Sequence, residues 1–124
     1  MEHEHTEHVA APPDLVYGAL ADVGNLPQYV PQVTAAEMGA DGNVHVQARY
    51  DGHTQEGDAW FRADAGDRRI EWGTERGYHG WMQVAADGDG SRLTLFLATH
   101  HGDASDQEVM GTLDAIRRLV ESKL

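Results

Sequence analysis

The feature that most constrains the fold is a stretch, residues 33–97, in which apolar residues recur at every second position between short turn segments. Period-two alternation is typical of strands that are buried on one face only. The turn segments are rich in Gly, Asp and Asn, which favours hairpins, and they are too short for a helical crossover. The stretch therefore predicts an antiparallel meander of six strands. These are residues 33–38, 44–50, 59–64, 70–74, 81–86 and 93–97, with GADGN at 39–43, DGHTQEGD at 51–58 and DGDG at 87–90 as turns.

Helical patterns precede this meander. A first strand is predicted at residues 6–11, and Pro12 and Pro13 then suit the first turn of a helix, where a missing amide hydrogen costs nothing. Apolar residues recur at helical spacing between positions 15 and 23. Pro27 opens a second, very short helix, and Pro31 ends it.

The C-terminal segment predicts a long amphipathic helix. Residues 105–108, with the sequence SDQE, form a capping box at its start. Val109, Leu113, Ile116 and Val120 fall on one apolar face. A helix of ~20 residues is about 30 Å long, so this one can lie across a whole sheet.

The predicted element order is β-α-α-β6-α, which gives an α+β fold in a single domain, residues 1–124. We expect a curved antiparallel sheet of about seven strands around the long C-terminal helix, with the two short helices closing one end of the groove. Such a sheet leaves a cavity between itself and the helix. The expected ligand-binding residues are Tyr17, Tyr50, Phe61, Trp72, Met82, Leu95, Leu113 and Ile116.

The run V-x-A-P-P-x-x-V-Y-x-x-L-A-D-V-x-N-L-P-x-Y-V-P, residues 9–31, resembles the N-terminal signature of the START-like (SRPBCC) superfamily. Within it, the chain is most similar to the polyketide cyclase/dehydrase and coenzyme Q-binding-protein branches, in order and length along nearly the whole chain. The resemblance implies a helix-grip fold with a deep apolar cavity. Members bind lipids, polyketides, hormones or quinones, and only some catalyse a reaction. No single catalytic residue set runs through the superfamily, so the resemblance implies a cavity without a mechanism.

Composition argues against several classes of partner. The chain has 21 acidic and 9 basic residues, a formal net charge of −12. Such a surface repels the phosphate backbone of nucleic acids and anionic lipid headgroups. The chain contains no cysteine, and no run approaches the ~18 apolar residues of a membrane helix. We therefore expect a cytoplasmic protein that neither binds nucleic acid nor inserts into a membrane.

Eight histidines raise the question of a metal site. His3 and His5 would share one face of a strand and could chelate zinc, but a mobile acidic N-terminus is an equally good place for solvated histidines. No serine stands in a nucleophile-elbow motif, and no glycine-rich loop precedes a helix in the phosphate-binding form. The sequence therefore predicts no required metal and no cofactor, and it identifies no catalytic residue.

Strand parity orients the expected site. Tyr50 and Trp72 fall on the apolar faces of their strands and should point toward the ligand. Arg49 and Glu71 should point toward water, because a one-residue slip would bury their charges at a cost of several kcal/mol. The Tyr50 hydroxyl is then the first candidate to meet a ligand carbonyl or hydroxyl.

Three large aromatic residues, Trp60, Trp81 and Phe96, fall on the opposite face of the predicted sheet. Such rings either mark a protein contact, for example a homodimer through the outer sheet face, or pack across neighbouring strands. The packing interpretation is preferred. His79, in a predicted glycine-flanked loop, is interpreted as a surface histidine in preference to a residue at the cavity mouth.

Taken with the resemblance, these patterns predict a protein that encloses a small, largely hydrophobic ligand. A binding or carrier role comes first, and a cyclase or dehydratase acting on a polyketide-like chain in the same cavity is the alternative. The enzyme would need a polar group within about 3 Å of a reacting atom, whereas the carrier would not. A regulator directed at a macromolecule is a third class, which the net charge of −12 disfavours.

Overall fold

The framework of the molecule is one sheet. A computed structural model describes residues 2–29, 33–50, 52–74, 79–98 and 106–123, while the side chains of Tyr50 and of residues 106–108 lie outside this description. Within these ranges there are seven strands: β1 Glu2–Val9, β2 Val33–Met38, β3 Asn43–Tyr50, β4 His53–Asp64, β5 Arg69–Gly73, β6 His79–Asp87 and β7 Gly90–Ala98.

All neighbouring strands in the sheet are antiparallel, in the order β1-β7-β6-β5-β4-β3-β2. The strands from β2 to β7 follow one another as a meander, and β1 returns to pair with β7, so that β1 and β2 are the two edges. The predicted α+β class, the seven strands and the helix-grip arrangement are confirmed.

Two strands, β1 and β4, begin much earlier than the sequence predicts. β1 spans Glu2–Val9 and pairs with β7 along its whole length, so the first strand predicted at 6–11 is present with shifted bounds, and the prediction of a mobile segment before it is wrong. β4 begins at His53, so most of the turn predicted at 51–58 is strand paired with β3. Both segments are rich in polar side chains, but the backbone ladder to a neighbouring strand holds them in place. Their polar composition is therefore why the sequence pattern did not predict these two segments as strands.

Two short helices and one turn close an end of the sheet. Helix α1, Pro13–Ala21, packs on β5, β6 and β7, and helix α2, Leu26–Tyr29, packs on the C-terminal helix and β2. A 3₁₀ turn, Val23–Asn25, joins them, and the Asp22 carboxylate accepts a hydrogen bond from the Gly24 amide at its start. The Arg68 guanidinium ties α1 to the β4–β5 turn through Asp14 at 2.8 Å.

Helix α3, Asp106–Glu121, lies against the concave side of the sheet, chiefly along β1. The predicted apolar stripe is confirmed, since Val109, Leu113, Ile116 and Val120 are all buried in the core. Ser105 of the predicted capping box and Pro31 lie outside the described residues.

Arg117 connects α3 to β1. Its Nε donates to Glu7 Oε1 at 3.2 Å, and its Nη1 donates to Glu121 Oε1 at 3.3 Å. The Ala10 amide donates to the other oxygen of Glu121 at 2.9 Å, so the end of β1 is tied to the last turn of the helix. A hydrogen bond from Arg117 also lowers the pKa of Asp114. These polar contacts fix the position of the helix along β1, while the apolar stripe supplies most of the burial.

Truncating Ile116 should unfold the protein more readily than truncating an exposed neighbour. Ile116→Ala removes buried methyl groups and leaves a cavity, which should lower the free energy of unfolding by about 2–5 kcal/mol. Met110→Ala, on the exposed side of the same helix, should lower it by less than about 0.5 kcal/mol. Urea denaturation of both variants provides the measurement, and equal unfolding midpoints would mean that α3 is not docked on the sheet.

A polar cluster at the other edge of the sheet makes stability depend on pH. His45 on β3 is directly paired with Glu37 on β2 and with Asp58 on β4, and its Nδ1 lies 2.9 Å from Asp58 Oδ1. The hydrogen bond to Asp58, followed by the charges of Asp58, Glu56 and Glu37, raises the pKa of His45 above its ordinary value of 6.5. The protonated imidazole therefore stabilises this end of the sheet.

Because the folded pKa of His45 is raised, its contribution should be fully present below pH 6.5 and should be lost as the pH rises through the folded value. Melting temperatures of wild type and His45→Gln, recorded from pH 5 to 9, should differ most at the acid end of this range. Asp58→Asn should also reduce the extra stability of the wild type at the acid end, because it removes the carboxylate that accepts the hydrogen bond from His45. His53→Gln, at an exposed position on β4, is the control and should keep the wild-type pH profile. A constant offset between wild type and His45→Gln across the range would contradict the assignment.

Candidate functional site

The concave face of the sheet carries a row of residues from five strands. Direct cross-strand pairs link His3 to Leu97, Leu97 to Gly80, Gly80 to Trp72 and Trp72 to Phe61. Because paired residues of antiparallel strands share a face, all five positions lie on the side that α3 covers. We call this set the concave row.

Across β5, β6 and β7, the concave row is less completely covered than the row beside it. Phe61, Trp72 and Leu97 are half-buried, although they pack against the core. One step nearer α1, the next row includes Ile70, Met82 and Leu95, which are all buried. The concave side is thus solidly packed near α1 and less completely covered at the concave row, which lies farther from α1.

Gly80 gives the Trp72 indole its place in the row. A Cβ at Gly80 would lie 2.7 Å from Trp72 Cζ2 and 2.8 Å from Leu97 Cδ2. It would also lie 2.6 Å from the Phe96 carbonyl oxygen, so the clash could not be relieved by side-chain movement alone. Only glycine lets the indole lie across β6 at this depth.

The structure places the sequence-predicted site residues in two environments. Tyr17, Phe61 and Trp72 are half-buried, and Met82, Leu95, Leu113 and Ile116 are fully buried in the core. Burial, followed by the charge of Asp64, raises the pKa of Tyr17. The Tyr50 side chain lies outside the described residues. Arg49 is exposed and Glu71 pairs with Arg69 on the outer face, as strand parity predicts.

The sequence left open that His3, His5 and Glu7 make one end of the cavity polar, and it did not place Tyr29 in the site. His3 belongs to the concave row and is 8 % exposed, and His5 and Glu7 follow it on the same face. The positions of His3, His5, Glu7 and Val9 alternate along the chain, which is typical of one strand face, but three of these residues are polar and also suit an exposed segment. Tyr29 on α2 is 2 % exposed, and no described residue accepts or donates a hydrogen bond to its hydroxyl. Burial, followed by the charge of Asp22, raises the pKa of Tyr29.

The outer face has the aromatic residues that the sequence predicts there. The Trp81 and Phe96 rings are stacked with centroids 5.6 Å apart, and the Arg69 guanidinium lies 4.3 Å above the Trp81 ring. The Trp60 indole lies over Gly73. His79 belongs to β6 and not to a loop, and its ring lies 5.8 Å from Phe96. Cross-strand packing therefore accounts for these rings, and a homodimer through this face stays a prediction.

A groove of about 380 Å³ runs between β1 and α3, lined by His5, Thr6, Glu7, Met110, Leu113 and Asp114. It joins the polar face of β1 to one member of the apolar stripe. Among the described residues, no group of three or more His, Cys, Asp or Glu side chains is placed to hold a metal ion. None of the described helices is long and apolar enough to cross a membrane.

Comparison with protein families gives a match over almost the whole chain. The model described as "Polyketide cyclase / dehydrase and lipid transport" matches residues 2–123. Comparison with curated proteins gives no significant match.

Solved structures share the fold at low sequence identity. The Zhui aromatase/cyclase from Streptomyces sp. R1128 is 21% identical with a TM-score of 0.77, over 99% of this chain and 94% of that one. A START superfamily protein from Mycobacterium smegmatis is 14% identical with a TM-score of 0.77, over 99% of both chains. The di-domain ARO/CYC StfQ from the steffimycin biosynthetic pathway is 23% identical with a TM-score of 0.78, over 98% of this chain and 45% of that one.

Two glycines, one on each face of the sheet, should respond differently to an added methyl group. Gly80→Ala meets backbone as well as the Trp72 ring, so overpacking should cost about 1–3 kcal/mol and alter the near-UV circular dichroism of the indole. In Gly73→Ala, the three atoms nearest to the new Cβ belong to the Trp60 ring, which is 41% exposed, so a shift of this ring toward solvent should keep the cost below about 1 kcal/mol. Equal costs in urea denaturation would contradict the fit described for Trp72.

Proposed function

The chain belongs to the polyketide cyclase / dehydrase and lipid transport family, and from this premise we propose that it binds one small, largely hydrophobic ligand between the concave sheet face and α3. Lipid-, polyketide- and quinone-like molecules are the classes that such a site would take. The ligand would lie on the concave row and be covered by the helix.

The incomplete burial of the concave row is the observation that carries this proposal. Phe61, Trp72 and Leu97 lie on the covered side of the sheet, yet they stay half-buried beside a solid core. Aromatic and aliphatic side chains on a core-facing surface are normally buried, since each contributes roughly 1.5–3 kcal/mol when removed from water. Because these side chains are already half-buried, a hydrophobic ligand would gain the remaining part of that contribution at binding.

The expected binding residues then take two roles. Tyr17, Tyr50, Phe61 and Trp72 would contact the ligand, and Met82, Leu95, Leu113 and Ile116 would form the packed base that holds those side chains in place. His3 and His5 make the β1 side of the concave face polar. A ligand with one polar end and an apolar body would fit this distribution.

A cyclase or dehydratase acting on a polyketide-like chain is the second candidate. The histidines on the concave face support it, because imidazole is the side chain most used in general acid–base catalysis. Incubation with a linear poly-β-ketone and mass spectrometry would separate the two roles. Loss of water from the substrate that depends on His3 would favour the enzyme, and recovery of unchanged substrate would favour the carrier.

A neutral fluorescent probe should bind at one site that includes Trp72. N-phenyl-1-naphthylamine suits the test, because its neutrality avoids repulsion by the net charge of −12. Titration should saturate near one equivalent. Trp72→Leu should weaken binding roughly tenfold, about 1.4 kcal/mol, because it removes the ring from the concave row.

Trp60→Leu, which removes a ring from the outer face, is the matched control and should change the affinity less than twofold. Absence of saturable binding to the wild type would refute the proposed function. A loss of affinity in Trp60→Leu with none in Trp72→Leu would mean that the probe binds to the outer face of the sheet and not to the concave face.

A further inference from the structure

Tyr29 carries a buried hydroxyl group that the fold does not use. The residue ends α2 and belongs to the continuous buried cluster that includes Met82, Leu95 and Ile116, and Phe61 and Trp72 pack against that cluster. No described residue forms a hydrogen bond with the Tyr29 hydroxyl, whose oxygen is shielded from solvent. An unsatisfied buried hydroxyl lowers the stability of a protein, and phenylalanine would avoid this loss at nearly the same volume.

Two other buried polar side chains among the described residues, Ser91 and Asn25, have hydrogen-bond partners. Ser91 Oγ donates to the Ala11 carbonyl at 2.7 Å, and Asn25 Nδ2 donates to the Ala19 carbonyl at 3.0 Å. The Asn25 side-chain oxygen in turn accepts a hydrogen bond from Gln28 at 3.0 Å. Asn25 and Gln28 stand within four residues of Tyr29, so this part of the chain satisfies its polar groups locally and leaves the Tyr29 hydroxyl out.

We propose that the Tyr29 hydroxyl is the hydrogen-bond donor for a carbonyl or other acceptor on the bound ligand. The inference rests on the proposed function and narrows it to ligands that combine an apolar ring or chain with an acceptor, as quinones and polyketides do. Formation of this bond would recover, on binding, the stability that the unpartnered hydroxyl costs in the free protein.

The electrostatic surroundings define the role of the hydroxyl. Burial and the charge of Asp22 raise the pKa of Tyr29, so the phenol keeps its proton at neutral pH and donates it to a hydrogen bond. Tyr29 is therefore a specificity-determining group and not a general base. Access to it requires the ligand to reach beneath α3, where α2 and α3 pack together.

Two matched probes test the inference. Anthracene and 9,10-anthraquinone share a flat tricyclic frame, and only the quinone has carbonyl acceptors. Their dissociation constants can be measured by quenching of tryptophan fluorescence, for the wild type and for Tyr29→Phe. In Tyr29→Phe, the dissociation constant of the quinone should rise roughly fivefold relative to that of anthracene, which is the usual effect of losing one hydrogen bond. The dissociation constant of anthracene itself should stay within twofold of the wild-type value.

Thermal stability provides a second readout on the same proteins. Tyr29→Phe should raise the melting temperature by a few degrees, because it removes an unsatisfied group. Ser91→Ala is the control: it removes a hydroxyl that has a partner, so it should lower the melting temperature and leave the probe ratio unchanged.

The outcomes separate this inference from the proposed function. A wild type that binds neither tricyclic probe nor N-phenyl-1-naphthylamine would refute both. A wild type that binds the probes while Tyr29→Phe keeps the same ratio would overturn the role of Tyr29 alone. A lower melting temperature in Tyr29→Phe would also overturn it, since the hydroxyl would then have a partner within the fold.

Discussion

The docking of α3 on the concave face is the contact on which the rest of the structure depends. Four side chains of its stripe are 2% exposed or less, and each such burial contributes roughly 1.5–3 kcal/mol. The pairs of Arg117 with Glu7 and Glu121 are partly exposed, and pairs of this kind contribute little to stability because solvent screens them. Burial therefore holds the helix to the sheet, and the charges decide where along β1 it lies.

A packed half and a more open half follow from this docking. Helix α1 packs on β5, β6 and β7 at one end of the groove, where Ile70, Met82 and Leu95 are buried. This helix does not cover the concave row to the same extent, so Phe61 and Trp72 keep exposed surface on the core side. A rigid base beneath a partly covered aromatic surface is a suitable arrangement for a ligand site, because the base fixes the rings before binding.

Local patterns predicted the elements whose side chains alternate between core and solvent. Strands β3, β5, β6 and β7 and the stripe of α3 have this signal, and strand parity also placed Trp72 and Glu71 on their correct faces. The first half of β4 and most of β1 lacked it, because polar side chains stand there on a backbone held by a neighbouring strand. The fit of Trp72 over Gly80 and the isolation of the Tyr29 hydroxyl depend on residues distant in sequence, so no local pattern could predict them.

The charge of the protein restricts the class of the proposed ligand more than the shape of the concave face does. The chain carries a net charge of −12, and Arg117, the cation on the concave side of β1, is held by Glu7, Asp114 and Glu121. An anionic headgroup arriving there would compete with three carboxylates for one guanidinium, and the surrounding field would oppose its approach. A neutral ligand would meet neither obstacle, because it has no charge for the carboxylates to repel. Its burial against Phe61 and Trp72 would not depend on the electrostatic field. If the proposed site is correct, this charge distribution would favour neutral ring systems or neutral lipids over fatty carboxylates as its ligands.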